Sequence, residues 1–105
     1  MPGQQRERGR KAAAFPATLT LADQRRLHGV ALDVSRGGVC LLLDQAVPPA
    51  QYCAVAIETG EGCVLAMGQI IYSLASGDGS YKTGIQFLQI DALSAALIST
   101  LLDRL

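Results

Sequence analysis

Leu27-His28-Gly29-Val30-Ala31-Leu32-Asp33-Val34-Ser35-Arg36-Gly37-Gly38-Val39-Cys40-Leu41-Leu42-Leu43 holds two apolar runs divided by a polar, glycine-closed break. Leu27 to Leu32 reads as a strand with Val30 and Leu32 on one face. Asp33-Val34-Ser35-Arg36-Gly37-Gly38 interrupts it with turn-forming residues. Val39-Cys40-Leu41-Leu42-Leu43 then resumes as a further strand.

The same grammar continues in both directions. Upstream, Phe15-Pro16-Ala17-Thr18-Leu19-Thr20-Leu21 alternates apolar and polar positions, and Pro16 belongs at the start or edge of that strand, where its missing N–H costs little. Asp23-Gln24-Arg25-Arg26 is a turn. Downstream, Tyr52 to Thr59 alternates again and ends at Gly60-Glu61-Gly62. Cys63 to Ser73 is a longer strand in which Gly68 marks a bulge or bend. Gly77-Asp78-Gly79 is a strong hairpin turn, and Tyr81 to Leu88 completes six strands. At Asp91 the period changes: Leu93, Leu97, Leu101 and Leu105 recur every fourth residue, predicting a helix with one apolar stripe, capped by Asp91 or Ser94. The fold class that follows is all-β, a six-stranded antiparallel β-barrel or sandwich with a C-terminal α-helix. Closure into a barrel removes the exposed edges that a small sheet would have to protect. A single domain is expected, with residues 1–14 as a flexible basic arm, 15–90 as the barrel and 91–105 as the helix.

Composition bounds the function. The 105 residues are 50% apolar and 17% charged, enough to build one aliphatic core without tryptophan. No apolar run approaches the ~20 residues of a membrane-spanning helix, and the polar start lacks a secretory signal. Three cysteines at unhelpful spacings argue for a reducing compartment and against a disulfide framework or zinc site, so a cytoplasmic location is expected. Formal net charge is zero, yet Arg6, Arg8, Arg10, Lys11, Arg25, Arg26 and Arg36 place seven of the nine basic residues in the first 36 positions. That asymmetry points to a local anion site, better matched to a small polyanion than to a long nucleic acid. A solvated basic tail is the plainer explanation of the charges alone.

Two constellations carry chemistry. In an extended chain Arg6, Arg8 and Arg10 lie on one side, and guanidinium groups suit bidentate contact with phosphates and with the O6/N7 edge of guanine. In the break, Asp33 and Ser35 alternate and leave the chain on one face. Asp33 offers two acceptors that suit the N1–H and N2–H₂ donors of guanine, Ser35 offers a donor, and the glycines permit close approach. An ordinary Asx or Ser turn remains the simpler reading of this segment in isolation.

Together these motifs resemble the signature of the PilZ domain family, bacterial receptors for cyclic di-GMP. The signature is an Arg-x-x-x-Arg pair, here Arg6 and Arg10, followed by an Asp/Asn-x-Ser-x-x-Gly turn, here Asp33, Ser35 and Gly38. Phe15-Pro16-Ala17 opens the first strand at the family's distance, and Thr83-Gly84-Ile85-Gln86-Phe87-Leu88 is similar to its last strand before the helix. The resemblance covers nearly the whole chain. It implies a regulatory, non-enzymatic module whose allosteric ligand is cyclic di-GMP, with no metal. Arg6 and Arg10 would meet guanine edges and phosphates, Asp33 and Ser35 would read guanine, and Gly38 would permit the turn. Gln4, Gln5, Arg8, Arg36 and Gly37 are secondary candidates. The arm is similar to that of PilZ domains in bacterial cellulose synthase catalytic subunits, which implies a glycosyltransferase domain as partner, at the cytoplasmic face of the inner membrane.

Two rival readings come from other classes. One is a PilZ-like module that works by protein contact alone, against which the complete motif argues. The other is a nucleic-acid-binding barrel, which would need stacking aromatics from among Phe15, Tyr52, Tyr72, Tyr81 and Phe87. His28, the only histidine, has no metal partner in sequence, and Cys40, Cys53 and Cys63 read as small hydrophobes in apolar strands. No nucleophile motif or carboxylate pair indicates catalysis.

Overall fold

The computed structural model describes residues 10–104, with side chains over 14–104. Six strands form a closed barrel in the order β1-β2-β3-β6-β5-β4, and every neighbouring pair is antiparallel. The strands are β1 (Arg10–Leu21), β2 (Arg26–Ser35), β3 (Gly38–Leu43), β4 (Tyr52–Glu58), β5 (Cys63–Ala75) and β6 (Tyr81–Ile90), followed by α1 (Ala92–Asp103). Closure satisfies every strand's ladder, so the barrel has no edge to protect.

Alternation fills the interior. Leu19, Leu41, Ile70 and Val64 are fully buried, and Leu21, Leu43, Ile57, Val55 and Val34 nearly so. Each such side chain contributes about 1.5–3 kcal/mol of burial. The few polar groups inside are paired: Thr83 Oγ1 donates to Ser73 Oγ at 3.5 Å, and the Val47 N–H donates to the same oxygen at 3.2 Å. Gly77 and Gly79, at φ 88° and 87°, make the β5–β6 hairpin, which closes with the Ser76 N–H donating to the Ser80 carbonyl at 2.9 Å.

Three expectations are corrected. First, β1 begins at Arg10 and not at Phe15, because Arg10, Lys11 and Ala12 pair in register with Ser35, Val34 and Asp33. Second, β2 runs on through Asp33 to Ser35, so the connection to β3 is only Arg36-Gly37. Leu27, Ala31 and Val34 point inward, and Val30, 36% exposed, faces out by simple alternation. Val34 points inward because of a bulge: Ala31 pairs with Leu41 and Asp33 with Cys40, leaving Leu32 unmatched. The expected irregularity at Gly68 is present as a register shift between Met67 and Gly68.

Third, the helix is rotated from its predicted stripe. Ser94, Ile98, Leu101 and Leu102 are buried, whereas Leu93 is 80% exposed. Its phase is set by polar anchors at the first turn. The Ser94 N–H donates to the Asp91 carboxylate at 2.7 Å, the N-cap bond, and Ser94 Oγ accepts from the Leu65 N–H of β5 at 2.9 Å. At the other end Arg104 pairs with Glu61. Helix α1 packs chiefly on β5 and also touches β1 and β2.

Candidate functional site

The turn after β2 opens onto a concavity of about 380 Å³ on the outer face of β2, β3, β6 and β5. Asp33, Ser35 and Gly38 all line it. The Leu32 bulge is what aims the first of these. An unbroken alternation from Leu27 and Ala31 would turn Asp33 toward the core, whereas the extra residue sends Val34 inward and leaves Asp33 and Ser35 on the concavity.

Ser35 is engaged with its own turn. Its Oγ accepts from the Gly37 N–H at 3.3 Å and donates to the Gly38 carbonyl at 3.2 Å. The sequence offered it as a donor to ligand; here its proton lies on Gly38, and one acceptor lone pair remains. The two glycines of this turn differ. A Cβ at Gly38 would lie 2.3 Å from the Ile85 carbonyl oxygen of β6, so the close approach of β3 and β6 requires the absence of a side chain. A Cβ at Gly37 would meet nothing within 4 Å, although its carbonyl accepts from the Phe87 N–H at 2.9 Å.

Arg10 enters through backbone pairing. As the register partner of Ser35 it brings the second arginine of the pair to the strand beside the Asp33–Ser35 segment, about 5 Å away at Cα. Gln4, Gln5, Arg6 and Arg8 lie outside the described residues. Arg36 is not in the concavity. It lines a separate cavity of about 110 Å³ with Ile90, Ala95, Ile98 and Ser99, against α1.

The wall opposite Asp33 was not anticipated. Ile71 and Tyr72 of β5 form it, with Gly84 and Gln86 of β6 between. A second bulge turns them outward: Ile70 pairs with Ile85 and Tyr72 with Gly84, so Ile71 is unmatched and Tyr72 faces the concavity instead of the core. Gly84, a lone glycine inside a strand, was the available signal, because such a glycine marks close approach by another group. The approaching group is the Tyr72 ring.

Other candidates are placed elsewhere. His28 Nδ1 shares a 3.2 Å hydrogen bond with Thr18 Oγ1 on the exposed surface, and among the described residues no cluster of His, Cys, Asp or Glu could hold a metal ion. Cys40 and Cys53 are buried, and Cys63 is half-buried. Burial pushes the Cys53 thiol up to about 11. Tyr52 and Tyr72 are exposed but stand on different grooves, while Phe15 and Phe87 pack against the core. Among the described residues no helix is long and apolar enough to cross a membrane.

These features define a small closed β-barrel with a polar concavity where β2 passes into β3. The chain matches the PilZ domain family over residues 4–104 and belongs to it. PilZ domains are regulatory binding modules, and the domain by itself is not an enzyme. No curated protein matches the chain. Solved structures that share the fold include the Bacillus subtilis inhibitor of motility MotI/DgrA, with TM-score 0.76 and 14% identity over 90% of this chain. The chain spans 48% of that protein's length. The PilZ domain of Escherichia coli YcgR, solved with c-di-GMP, gives TM-score 0.70 and 20% identity over 91% of this chain and 87% of its own. The PilZ domain of CeSA from a cellulose-synthesizing bacterium gives 0.61 and 18%, over 90% and 95% respectively.

Proposed function

We propose that this domain binds cyclic di-GMP in the concavity beside β2 and acts as a regulatory module. The observation that carries the reading is the convergence of Asp33, Ser35 and Gly38 on one concavity, with Arg10 paired to Ser35 across β1 and β2. In this scheme Asp33 accepts from the N1–H and N2–H₂ of a guanine. Arg6 and Arg10 take guanine edges and phosphates through bidentate contacts. Ser35 holds the turn in shape and accepts one further hydrogen bond, and Gly38 keeps β3 close enough to β6 for the concavity to exist. Arg8, Gln4, Gln5 and the open Gly37 backbone are secondary contacts. Arg36, beside α1, connects the turn to the helix and so offers a route from ligand to partner. Family membership and the c-di-GMP-bound YcgR domain of the same fold support the choice of ligand.

The regulated partner we infer is a cellulose-synthase-type glycosyltransferase in the same polypeptide, at the cytoplasmic face of the membrane. Its support is the arm's similarity to that subgroup and the shared fold of the CeSA PilZ domain. A coding sequence with no glycosyltransferase region would overturn this partner and leave the ligand reading intact.

The deciding experiment is calorimetric titration with cyclic di-GMP, with GTP and cyclic GMP as controls, on wild type and Arg10→Ala. Binding of cyclic di-GMP alone is expected, weakened about ten- to a hundredfold in the variant, the effect of one bidentate arginine contact. The titration also counts the ligand molecules bound per domain. A folded wild type that binds none of them would overturn the proposal in favour of a protein-interaction module.

A further inference from the structure

We propose that Tyr72 is the aromatic wall of this concavity, taking the face of a guanine base whose edge meets Asp33, and that Gly84 and Cys40 position its ring. The inference rests on the cyclic di-GMP reading and assigns three residues that lie outside both sequence motifs. Tyr72, Gly84, Cys40 and Asp33 are successive register partners on β5, β6, β3 and β2, forming one row across the outside of the barrel. The Tyr72 ring lies along that row. A Cβ at Gly84 would come within 2.2–2.7 Å of ring atoms Cε2, Cζ and Cδ2, so the ring rests against the bare β6 backbone. Beyond β6 its hydroxyl donates to Cys40 Sγ at 3.7 Å, anchoring the far end of the side chain on β3.

That leaves one strand spacing, about 5 Å, between the Cys40 position and Asp33 on the next strand. A purine stacked on the ring can span the gap and direct its donor edge at the Asp33 carboxylate. Tyr72 is 37% exposed, with Ile71 beside it on the wall. Stacking of a base on an aromatic ring is indifferent to the base's hydrogen-bonding pattern, so Tyr72 supplies affinity while Asp33 supplies the choice of guanine.

The test uses calorimetry and fluorescence with cyclic di-GMP. Tyr72→Ala is expected to weaken binding about tenfold, and Tyr72→Phe, which keeps the ring, less than threefold. Gly84→Ala, which pushes the ring off the sheet, should weaken binding in wild type but add nothing in a Tyr72→Ala background. A merely structural glycine would weaken both. The chain has no tryptophan, so Tyr72→Trp introduces a single reporter whose fluorescence a stacked guanine quenches. Wild-type binding that survives Tyr72→Ala within twofold, or a Tyr72→Trp protein that binds without quenching, overturns the wall. Loss of all binding by wild type overturns the ligand assignment itself, so the two failures are distinguishable.

Discussion

Two of the grooves on the outside of the barrel differ in how their strands are built. The larger, about 450 Å³, lies over β1, β4 and β5 and is lined by Thr18, Thr20, Ala54, Ala56, Leu65 and Met67, with Asp91 at its end. There β1 pairs with β4, and β4 with β5, in unbroken register. Every second residue faces out, and the surface is apolar and nearly uncharged. The smaller concavity over β2, β3, β6 and β5 is flanked by bulges at Leu32 and Ile71. Each bulge reverses which residues face outward, delivering Asp33 and Ser35 on one side and Tyr72 on the other. The size of a groove is therefore a poor guide to its chemistry in this molecule. The place where the ladder is broken concentrates the polar and aromatic groups, because a bulge re-aims side chains without opening the barrel.

The two grooves should differ most at Asp33. Asp33→Ala should lower affinity for cyclic di-GMP about ten- to a hundredfold, the loss of charge-assisted hydrogen bonds to guanine. Met67→Ser in the other groove should leave it within twofold. Calorimetry on both variants checks this, and equal effects would erase the distinction between the grooves.

The next effect separates the two turn glycines. Gly38→Ala forces the β3 and β6 backbones apart and is expected to cost about 1–3 kcal/mol of stability in chemical denaturation. Gly37→Ala has open space and should stay within about 0.5 kcal/mol. A smaller change belongs to the apolar groove, where the Asp91 carboxylate is occupied as the N-cap of α1. Asp91→Ala should cost about 1 kcal/mol without altering ligand affinity, measured by thermal unfolding and titration.

The smallest effect at neutral pH concerns Cys53, whose thiol faces the core from β4 behind the apolar groove. Burial raises it from the ordinary 9.0 to about 11 in the folded protein. The unfolded chain thus ionises first, so this residue's contribution to stability is intact below pH 9 and is lost as pH rises through about 11. The stability difference between wild type and Cys53→Val should change only over that alkaline range. A difference independent of pH would place the thiol in a more polar setting.

Alternation in Phe15–Leu21 and Tyr52–Thr59, with the apolar run Val39–Leu43, was enough to read these strands, because a strand half buried in a core must repeat every two residues. The turn chemistry of Gly77-Asp78-Gly79 was also written locally, since it depends on neighbours within a few residues. The phase of β2 was not legible. The segment Asp33-Val34-Ser35 reads as part of a turn, and only pairing with β3 shows that the strand runs on through it with Leu32 as an extra residue. The helix stripe failed for a related reason: Ser94, capped by Asp91, anchors α1 to β5 by accepting from the Leu65 N–H, a contact between residues 29 apart in sequence, and this turns Leu93 into solvent.

Residue types and their spacing were sufficient for the class of fold and for the β5–β6 turn, because those rest on local backbone preferences and side-chain chemistry. The opposite wall of the concavity was decided by tertiary structure. Tyr72, Gly84 and Cys40 become neighbours only when β5, β6 and β3 pair in one particular register, and register is a property of the closed sheet as a whole.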